Sequence, residues 1–304
     1  MTWRSRPASK VVPSRAAVRR AARWSSVASL LWAAVCFPAG EVRDQLGIAQ
    51  PGAPVHRIVA LAPDVVELVF ALGAGARVVA VPRAADFPPA ARTLPHVGPA
   101  DIEDILAARP DLVVATTAGN DPLVIARLRD LGMRVFVADV TSCDRLADAC
   151  QRLGSLLTGS PGPVPLATRI ASRCTAARVR GARLPPRRAL YVVWWDPLIV
   201  AGPGTFHDDM LRIAGLENLA PGGAGRYPRI DPEVLLDPRL EVVVAPDEPD
   251  VRAGYDRVAA GVAGRRLTAG AVTVIWLPAD PASRPGPRLV DAIDALLAAR
   301  EARP

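Results

Sequence analysis

The chain has 304 residues, half of them hydrophobic, and only 5 % of them are aromatic. This length and composition predict one or two helix-rich α/β domains with cores of ordinary size. The net charge of +7 suggests a nucleic-acid partner, but seven unopposed bases stand before residue 24, and the other 30 basic residues are matched by 30 acidic ones. The charge distribution therefore argues against a nucleic-acid-binding surface.

Residues 1–40 have the layout of an export leader. A basic segment precedes an uncharged run from Trp24 to Gly40, which is short for a membrane-spanning helix. The basic residues are Arg4, Arg6, Lys10, Arg15, Arg19, Arg20 and Arg23. We predict export to the periplasm or to the outer face of the cytoplasmic membrane, with residues 41–54 as a linker.

Two details of the leader leave its processing open. Cys36 is a candidate for lipidation, although the preceding Ala33, Ala34 and Val35 fit a lipobox poorly. Arg19 and Arg20 form a twin-arginine pair without the flanking residues that would complete such a signal. General secretion is the prediction, and a lipid anchor at Cys36 is the alternative.

The remaining cysteines, Cys143, Cys150 and Cys174, show no CxxC spacing. This pattern indicates neither a zinc site nor a disulfide framework, and buried thiols are expected. A bridge between Cys150 and Cys174 is the alternative in an oxidising compartment.

From Val55 the chain alternates short β-branched runs with amphipathic stretches, which is typical of parallel sheets covered by helices. In the first unit Asp64 and Glu67 predict a capping box for a helix from Val65 to Leu72. The predicted strands are Val55 to Leu61, Val78 to Val81, Leu112 to Ala115, Val135 to Ala138, Leu190 to Trp194, Val242 to Ala245 and Val272 to Trp276. Three further helices are predicted to start after Asp121, Ser142 and Thr205 and to end at Leu131, Leu157 and Ala214, respectively. A last helix is predicted from Gly286 to Arg300.

Two segments that begin 130 residues apart resemble each other. Residues 101–115 (DIEDILAARPDLVVA) and 231–245 (DPEVLLDPRLEVVVA) each read as an Asp-capped helix followed by a buried strand. Glu103 and Glu233 take the same position in the first turn, where the helix dipole favours a carboxylate. The repeat predicts two related lobes, an N-terminal one at 55–160 and a C-terminal one at 187–304.

Prolines bracket the segment between these lobes. Within residues 161–186, Leu166, Ile170, Cys174 and Ala177 recur at near-helical spacing. A helix of some 20 residues here would be about 30 Å long, enough to tie the lobes together as a rigid strut.

The order of several short segments resembles the periplasmic binding proteins of cobalamin and iron-siderophore importers. These segments are HRIVALAP (56–63), ELVFALG (67–73), DFPP (86–89), LPHVG (94–98), RPDLV (109–113), LRDLG (128–132), GLEN (215–218) and RPGPR (284–288). The resemblance implies two α/β lobes with mainly parallel sheets, joined by one long helix and holding a ligand in the cleft between them. It also implies a monomer that delivers its ligand to an ABC permease dimer with its ATPase subunits.

The resemblance further implies one surface glutamate on each lobe that docks onto permease arginines, and Glu103 and Glu233 match these positions. For the cleft it implies aromatic residues that pack against a corrin ring. The candidates are Phe87, Trp194, Trp195 and Tyr227, with Arg284 and Arg288 for amide or carboxylate groups. Strand alternation allows only one of the two tryptophans to face the cleft.

Some residues depart from the cobalamin pattern and leave ferric siderophores and haem as alternative ligands. Arg83, Thr116 and Thr117 stand where aromatic residues often occur in that group, and Arg226 is a further candidate for ligand contact. His56 and His96 are expected to be structural. His207, beside Asp208 and Asp209, is the one histidine that could ligate a metal or haem.

An enzyme is not predicted, because the chain has no GxSxG, no P-loop and no proper GxGxxG. A two-lobed metal chelatase would have comparable halves, but a cytosolic enzyme would not need the leader. No resident cofactor is expected, and the ligand would be a corrinoid or another metal chelate.

Overall fold

The N-terminal lobe is built on four parallel strands, β3 to β6, whose order across the sheet is β4-β3-β5-β6. The computed structural model describes residues 42–223 and 225–302, and the leader with Cys36 lies outside them. Every residue of β3, β5 and β6 is buried, as expected for a parallel sheet covered on both faces. The four strands are Ile58–Ala60 (β3), Val78–Ala80 (β4), Leu112–Thr116 (β5) and Val135–Ala138 (β6).

Four α-helices belong to this lobe, and side chains predicted as caps begin three of them. Asp101, Asp121 and Ser142 each accept a hydrogen bond from a backbone N–H of the following first turn. The helices are Pro63–Ala71 (α1), Ile102–Ala107 (α2), Pro122–Asp130 (α3) and Cys143–Thr158 (α4).

The capping box predicted at the first helix is wrong. Helix α1 begins at Pro63, and the residue before it, Ala62, has no side chain that can cap. Asp64 and Glu67 therefore lie within the helix, and both are buried. Glu67 turns instead toward arginines of the other lobe.

Residues 42–50, predicted to be part of a linker, form an antiparallel hairpin of Val42–Arg43 (β1) and Ala49–Gln50 (β2). The hairpin covers the free edge of β6. Gln45 N donates to the carbonyl oxygen of Val137 at 3.1 Å, and Gln45 Oε1 accepts from the amide of Asp139 at 2.7 Å. Its polar atoms thus satisfy backbone groups that an edge strand would otherwise expose.

The C-terminal lobe contains a mixed sheet with order β11-β10-β7-β8, in which β9 pairs with the start of β7. Only the β7–β8 pair is antiparallel among these strands. The strands are Arg187–Trp195 (β7), Leu198–Val200 (β8), Leu216–Asn218 (β9), Val242–Asp247 (β10) and Thr273–Pro278 (β11). The sheet is therefore mainly parallel, as predicted.

The helices of this lobe follow the predicted starts in part. Thr205 and Asp231 act as caps, but Asp231 begins a short 3₁₀ helix, Pro232–Leu236, where its counterpart Asp101 begins an α-helix. The α-helices are Phe206–Ile213 (α6), Pro249–Ala259 (α7), Arg265–Thr268 (α8), Ala279–Ser283 (α9) and Leu289–Glu301 (α10). No described helix is both long and apolar enough to cross a bilayer.

One helix, Pro165–Gly181 (α5), joins the lobes. Its 17 residues correspond to about 26 Å, slightly less than the predicted length. Its buried face includes Leu166, Ile170 and Cys174, and it packs on α4 of one lobe and α10 of the other. Gly181 ends it where a Cβ atom would lie 1.7 Å from the carbonyl oxygen of Ile213, so glycine allows the backbones of α5 and α6 to meet.

A disulfide bond joins Cys143 of α4 to Cys174 of α5. The expectation of free thiols, and of Cys150 as the partner if any bridge formed, was therefore wrong. Cys143 and Cys150 are seven residues apart, so both face α5, and the axial offset of the two helices decides which one is in reach. Cys150 is a free, fully buried thiol, and burial raises its pKa to about 12.

Candidate functional site

A cavity of about 360 Å³ lies between the lobes, at the carboxyl ends of strands β7 and β10. Ligands of open α/β sheets typically bind at this end of the strands. The lining residues are Ala118 from the N-terminal lobe and Tyr191, Val193, Trp194, Phe206, His207, Tyr227, Pro246, Glu248, Val251, Ser283 and Pro285 from the C-terminal lobe. The C-terminal lobe therefore supplies most of the wall, and much of it is aromatic.

The two adjacent tryptophans of β7 point in different directions, and only Trp194 lines the cavity. Trp194 lines the cavity, and its indole Nε1 donates to the carbonyl oxygen of Asp196 at 2.8 Å. Trp195 is 1 % exposed and packs edge-to-face on Tyr255 of α7, with ring centroids 5.2 Å apart. Trp195 is thus a core residue of the C-terminal lobe.

The direction of each tryptophan depends on an irregularity in the strand. Uninterrupted alternation would place Tyr191, Val193 and Trp195 on one face. The pairing of β7 with β8 shifts register between Val192 and Trp194, and such a bulge re-aims the side chains beyond it. Tyr191, Val193 and Trp194 therefore line the cavity together.

His207 is buried beneath the aromatic wall of the cavity, which is formed by Tyr191, Trp194, Phe206 and Tyr227. Its Nε2 is 3.1 Å from the carbonyl oxygen of Ala282, so Nε2 carries the proton of the neutral ring. Burial lowers the pKa of His207 to about 3. Its Nδ1 faces the hydroxyl of Tyr227 at 3.5 Å. His207 is consequently a neutral support for the wall, with Nε2 already occupied.

Tyr227 is the more accessible member of this pair. Its side chain lies in the loop before the 3₁₀ helix and is 39 % exposed at the cavity mouth. Burial of the hydroxyl raises the pKa of Tyr227 to about 12, so the phenol is neutral at physiological pH. The other histidines, His56 and His96, are exposed and do not line the cavity.

Phe87, Arg284 and Arg288 come together, but at the boundary of the lobes and outside the cavity lining. The guanidinium of Arg288 lies 4.0 Å from the centroid of the Phe87 ring and forms two hydrogen bonds, of 2.6 and 2.8 Å, to the buried Glu67. Arg284 pairs with Asp86 at 2.6 Å and with Asp280 at 3.1 Å. Both arginines thus already have carboxylate partners, and they connect the two lobes.

The remaining candidates lie elsewhere. Glu103 and Glu233 are exposed in the first turns of α2 and of the 3₁₀ helix, one on each lobe. Arg83 is exposed, and Thr117 donates to Asp139 at 2.6 Å. Across residues 42–223 and 225–302 no three His, Cys, Asp or Glu side chains cluster as a metal site would require.

Several cavity residues were not predicted from the sequence. Tyr191, Phe206 and Ser283 belong to three different elements, Glu248 lies between β10 and α7, and none stands in a recognisable motif. The cap at Thr205 placed Phe206 at the start of a helix but did not indicate which way the helix faced. Their contribution depends on how the elements pack.

The fold and the cleft define a two-lobed binding protein of α/β type, with one connecting helix and an aromatic cavity between the lobes. The model of the periplasmic binding protein family matches residues 58–272, and the chain belongs to that family. The predicted resemblance and the predicted fold class are confirmed.

Proteins similar to this chain include vitamin B12-binding and heme-binding proteins. The vitamin B12-binding protein of Vibrio cholerae serotype O1 is 29 % identical over 245 residues, which cover 79 % of this chain and 87 % of that protein. The crystal structure of the periplasmic vitamin B12 binding protein BtuF of Vibrio cholerae superposes with a TM-score of 0.70 at 29 % identity, over 82 % of this chain and 98 % of the other. The periplasmic heme-binding protein RhuT of Roseiflexus sp. RS-1 gives a TM-score of 0.66 at 28 % identity, over 81 % and 99 %.

Proposed function

We propose that this chain is the extracytoplasmic binding subunit of an ABC importer and that it captures cobalamin or another corrinoid between its lobes. The observation that carries the proposal is the aromatic wall formed by Tyr191, Trp194, Phe206 and Tyr227 on one side of the cleft. Flat apolar side chains offer a large, rigid contact area to a planar macrocycle. The vitamin B12-binding relatives of similar length support the same ligand class.

Among the tryptophans of the described residues, Trp194 is the one we assign to ligand contact. Trp195 and Trp276 pack around Tyr255, and Trp276 is further covered by the guanidinium of Arg252 at 4.2 Å. Trp194 is partly buried, so replacing it by alanine would remove an aromatic anchor from the cavity and leave the fully buried Trp195 in place. Such anchors dominate the binding energy of many interfaces.

The test is calorimetric titration of the mature protein with cyanocobalamin, hemin and a set of ferric siderophores. We expect saturable binding of cyanocobalamin and an affinity at least about tenfold lower in Trp194→Ala. The matched control is Trp276→Phe, which should bind like the wild type. Indifference of the wild type to cyanocobalamin would refute the corrinoid assignment.

Haem is the second candidate, and Tyr227 is the observation that favours it. Tyrosine is one of the axial ligands that proteins offer to haem iron, and Tyr227 lines the cavity. The heme-binding relative of similar fold supports this alternative. Binding of hemin but not of cyanocobalamin, with loss of the hemin spectrum in Tyr227→Phe, would replace the first proposal by this one.

We further propose that Glu103 and Glu233 dock the loaded protein onto the permease. The two carboxylates are exposed on corresponding segments of the two lobes, and a twofold permease would present two equivalent sets of arginines. Reversing both charges, Glu103→Arg with Glu233→Arg, should abolish uptake while ligand affinity is unchanged. Asp130→Arg with Glu217→Arg, also exposed on the two lobes, is the control, and normal uptake by the first pair would contradict the docking role.

Export by the basic leader completes the proposal, since a periplasmic binding protein functions outside the cytoplasm. The exported chain would mature by one of two routes, cleavage by a general signal peptidase or lipidation at Cys36. The intact mass of the purified mature protein would distinguish them, because lipidation makes Cys36 the first residue and adds acyl chains to it.

A further inference from the structure

The cavity lining carries an unbalanced negative charge. Among the described residues that line it, Glu248 is the one carboxylate, and none is an arginine or a lysine. The remaining polar groups, His207, Tyr191, Tyr227 and Ser283, are neutral. A ligand bound here would therefore meet the Glu248 carboxylate with no basic partner within the wall.

Glu248 is held in place by the fold. It stands between the end of β10 and the start of α7, where its backbone oxygen accepts the amide of Arg252 at 2.8 Å. Its Oε1 accepts from the hydroxyl of Ser283 at 3.1 Å. No described arginine forms a salt bridge with Glu248, whereas the adjacent Asp247 is paired with Arg252 outside the cavity.

The basic side chains near the cleft are committed elsewhere. The chain has a single lysine, Lys10, so arginine supplies all strong bases from residue 42 onward. Arg284 and Arg288 are paired with Glu67, Asp86 and Asp280. Arg226, whose side chain is half exposed, lies 3.5 Å from Asp139.

We propose that Glu248 is a specificity-determining residue of the cleft, which favours corrinoids with an uncharged amide periphery over ligands that present carboxylates. This inference rests on the proposed function. A carboxylate accepts hydrogen bonds from primary amides, as a corrin periphery offers, and it repels a ligand carboxylate. Selection thus arises from a repulsive element as well as from the aromatic contacts.

The experiment compares cyanocobalamin with a monocarboxylic acid derivative in which one peripheral propionamide is hydrolysed. The two probes share the ring and differ in one group, so their ratio of dissociation constants isolates the charge. For the isomer whose acid group reaches Glu248, we expect the mature wild-type protein to prefer the amide by about tenfold or more at low salt. The three monoacid isomers are titrated separately to find it.

Glu248→Gln tests the residue directly, because glutamine keeps the acceptor for Ser283 and removes the charge. In Glu248→Gln we expect the preference for cyanocobalamin over the acid to fall to about twofold or less. The affinity of this variant for cyanocobalamin should stay within about threefold of the wild-type value. Asp247→Asn is the matched control and should retain the wild-type preference. Thermal melts confirm that both variants are folded.

Two outcomes would overturn the inference and are distinguishable. Equal affinity of the wild type for cyanocobalamin and all three acids, or a preference that Glu248→Gln leaves intact, refutes the role of Glu248 while the corrinoid function stands. Absence of binding to every corrinoid refutes the proposed function itself, and the selection by Glu248 with it.

Discussion

Asp64, Glu67 and Asp86 lie close together at the boundary of the lobes, and their three carboxyl groups have different environments. Glu67 is buried against the guanidinium of Arg288. The hydrogen bond from Arg284 holds the pKa of Asp86 below its usual value. Asp64 is buried without an arginine, its Oδ2 has no hydrogen-bond partner among the described residues, and burial raises its pKa to about 6.

The raised pKa of Asp64 makes stability depend on pH. The folded state binds this proton more tightly than the unfolded state, so the free energy of unfolding falls as pH rises from about 4 to about 6. The shift in pKa from 3.8 to about 6 lowers the free energy of unfolding by roughly 3 kcal/mol at pH values above 6. Asp64→Asn should therefore match the wild type near pH 4 and be more stable by up to this amount at pH 7.5.

Urea denaturation of both proteins at pH 4 and pH 7.5 measures this difference. Asp130→Asn, an exposed substitution on α3, is the control and should not change the pH dependence. A stability difference between Asp64→Asn and the wild type that is the same at both pH values would contradict the assignment.

At the scale of elements, the disulfide between α4 and α5 ties the N-terminal lobe to the connecting helix. It closes a loop with a sequence separation of 31 residues. In the chain-entropy model, a loop of this length stabilises the folded state by about 3.7 kcal/mol. The disulfide bond therefore fixes the connecting helix α5 against α4.

Reduction should consequently lower the midpoint of thermal unfolding. We expect the double variant Cys143→Ala with Cys174→Ala to lose about 2–4 kcal/mol and to be insensitive to dithiothreitol. Cys150→Ala, which removes only the free thiol, should respond to dithiothreitol like the wild type. A reductant effect of equal size in the double variant would show that the bond does not stabilise the protein.

At the scale of the whole molecule, the contacts of Arg284 and Arg288 connect the lobes on one side of the cleft. Arg288, directly before the last helix, reaches Glu67 of α1, 221 residues earlier in the chain. The side chain of Glu67 is 3 % exposed and that of Arg288 is 20 % exposed. Together with α5 this interlobe pair limits how far the lobes can separate.

Breaking a buried ion pair by removing one partner is costly, because the other charge remains buried. Arg288→Gln should therefore lower the free energy of unfolding by about 3 kcal/mol. Arg173→Gln, which removes a more exposed pair with Asp291 and Asp294, should cost less than about 1 kcal/mol. Urea denaturation of both variants measures these losses of stability. Equal losses would contradict a larger contribution from the interlobe pair.

The sequence by itself determined the features that depend on local pattern. The caps at Asp101, Asp121, Ser142 and Thr205 start helices as predicted, because a side-chain oxygen there meets backbone N–H groups two or three residues away. The strands of the parallel sheets could be predicted from the sequence because their buried residues form consecutive hydrophobic runs. The family resemblance followed from the order of these segments.

Only the tertiary structure decided the contacts between distant segments. A bulge in β7 selected Trp194 for the cavity, the offset of two helices selected Cys143 for the disulfide, and packing against α1 gave Arg288 a carboxylate partner. Glu248 entered the cleft because β10 ends there. Each outcome depends on the relative position of elements far apart in the chain, which local periodicity and capping do not specify.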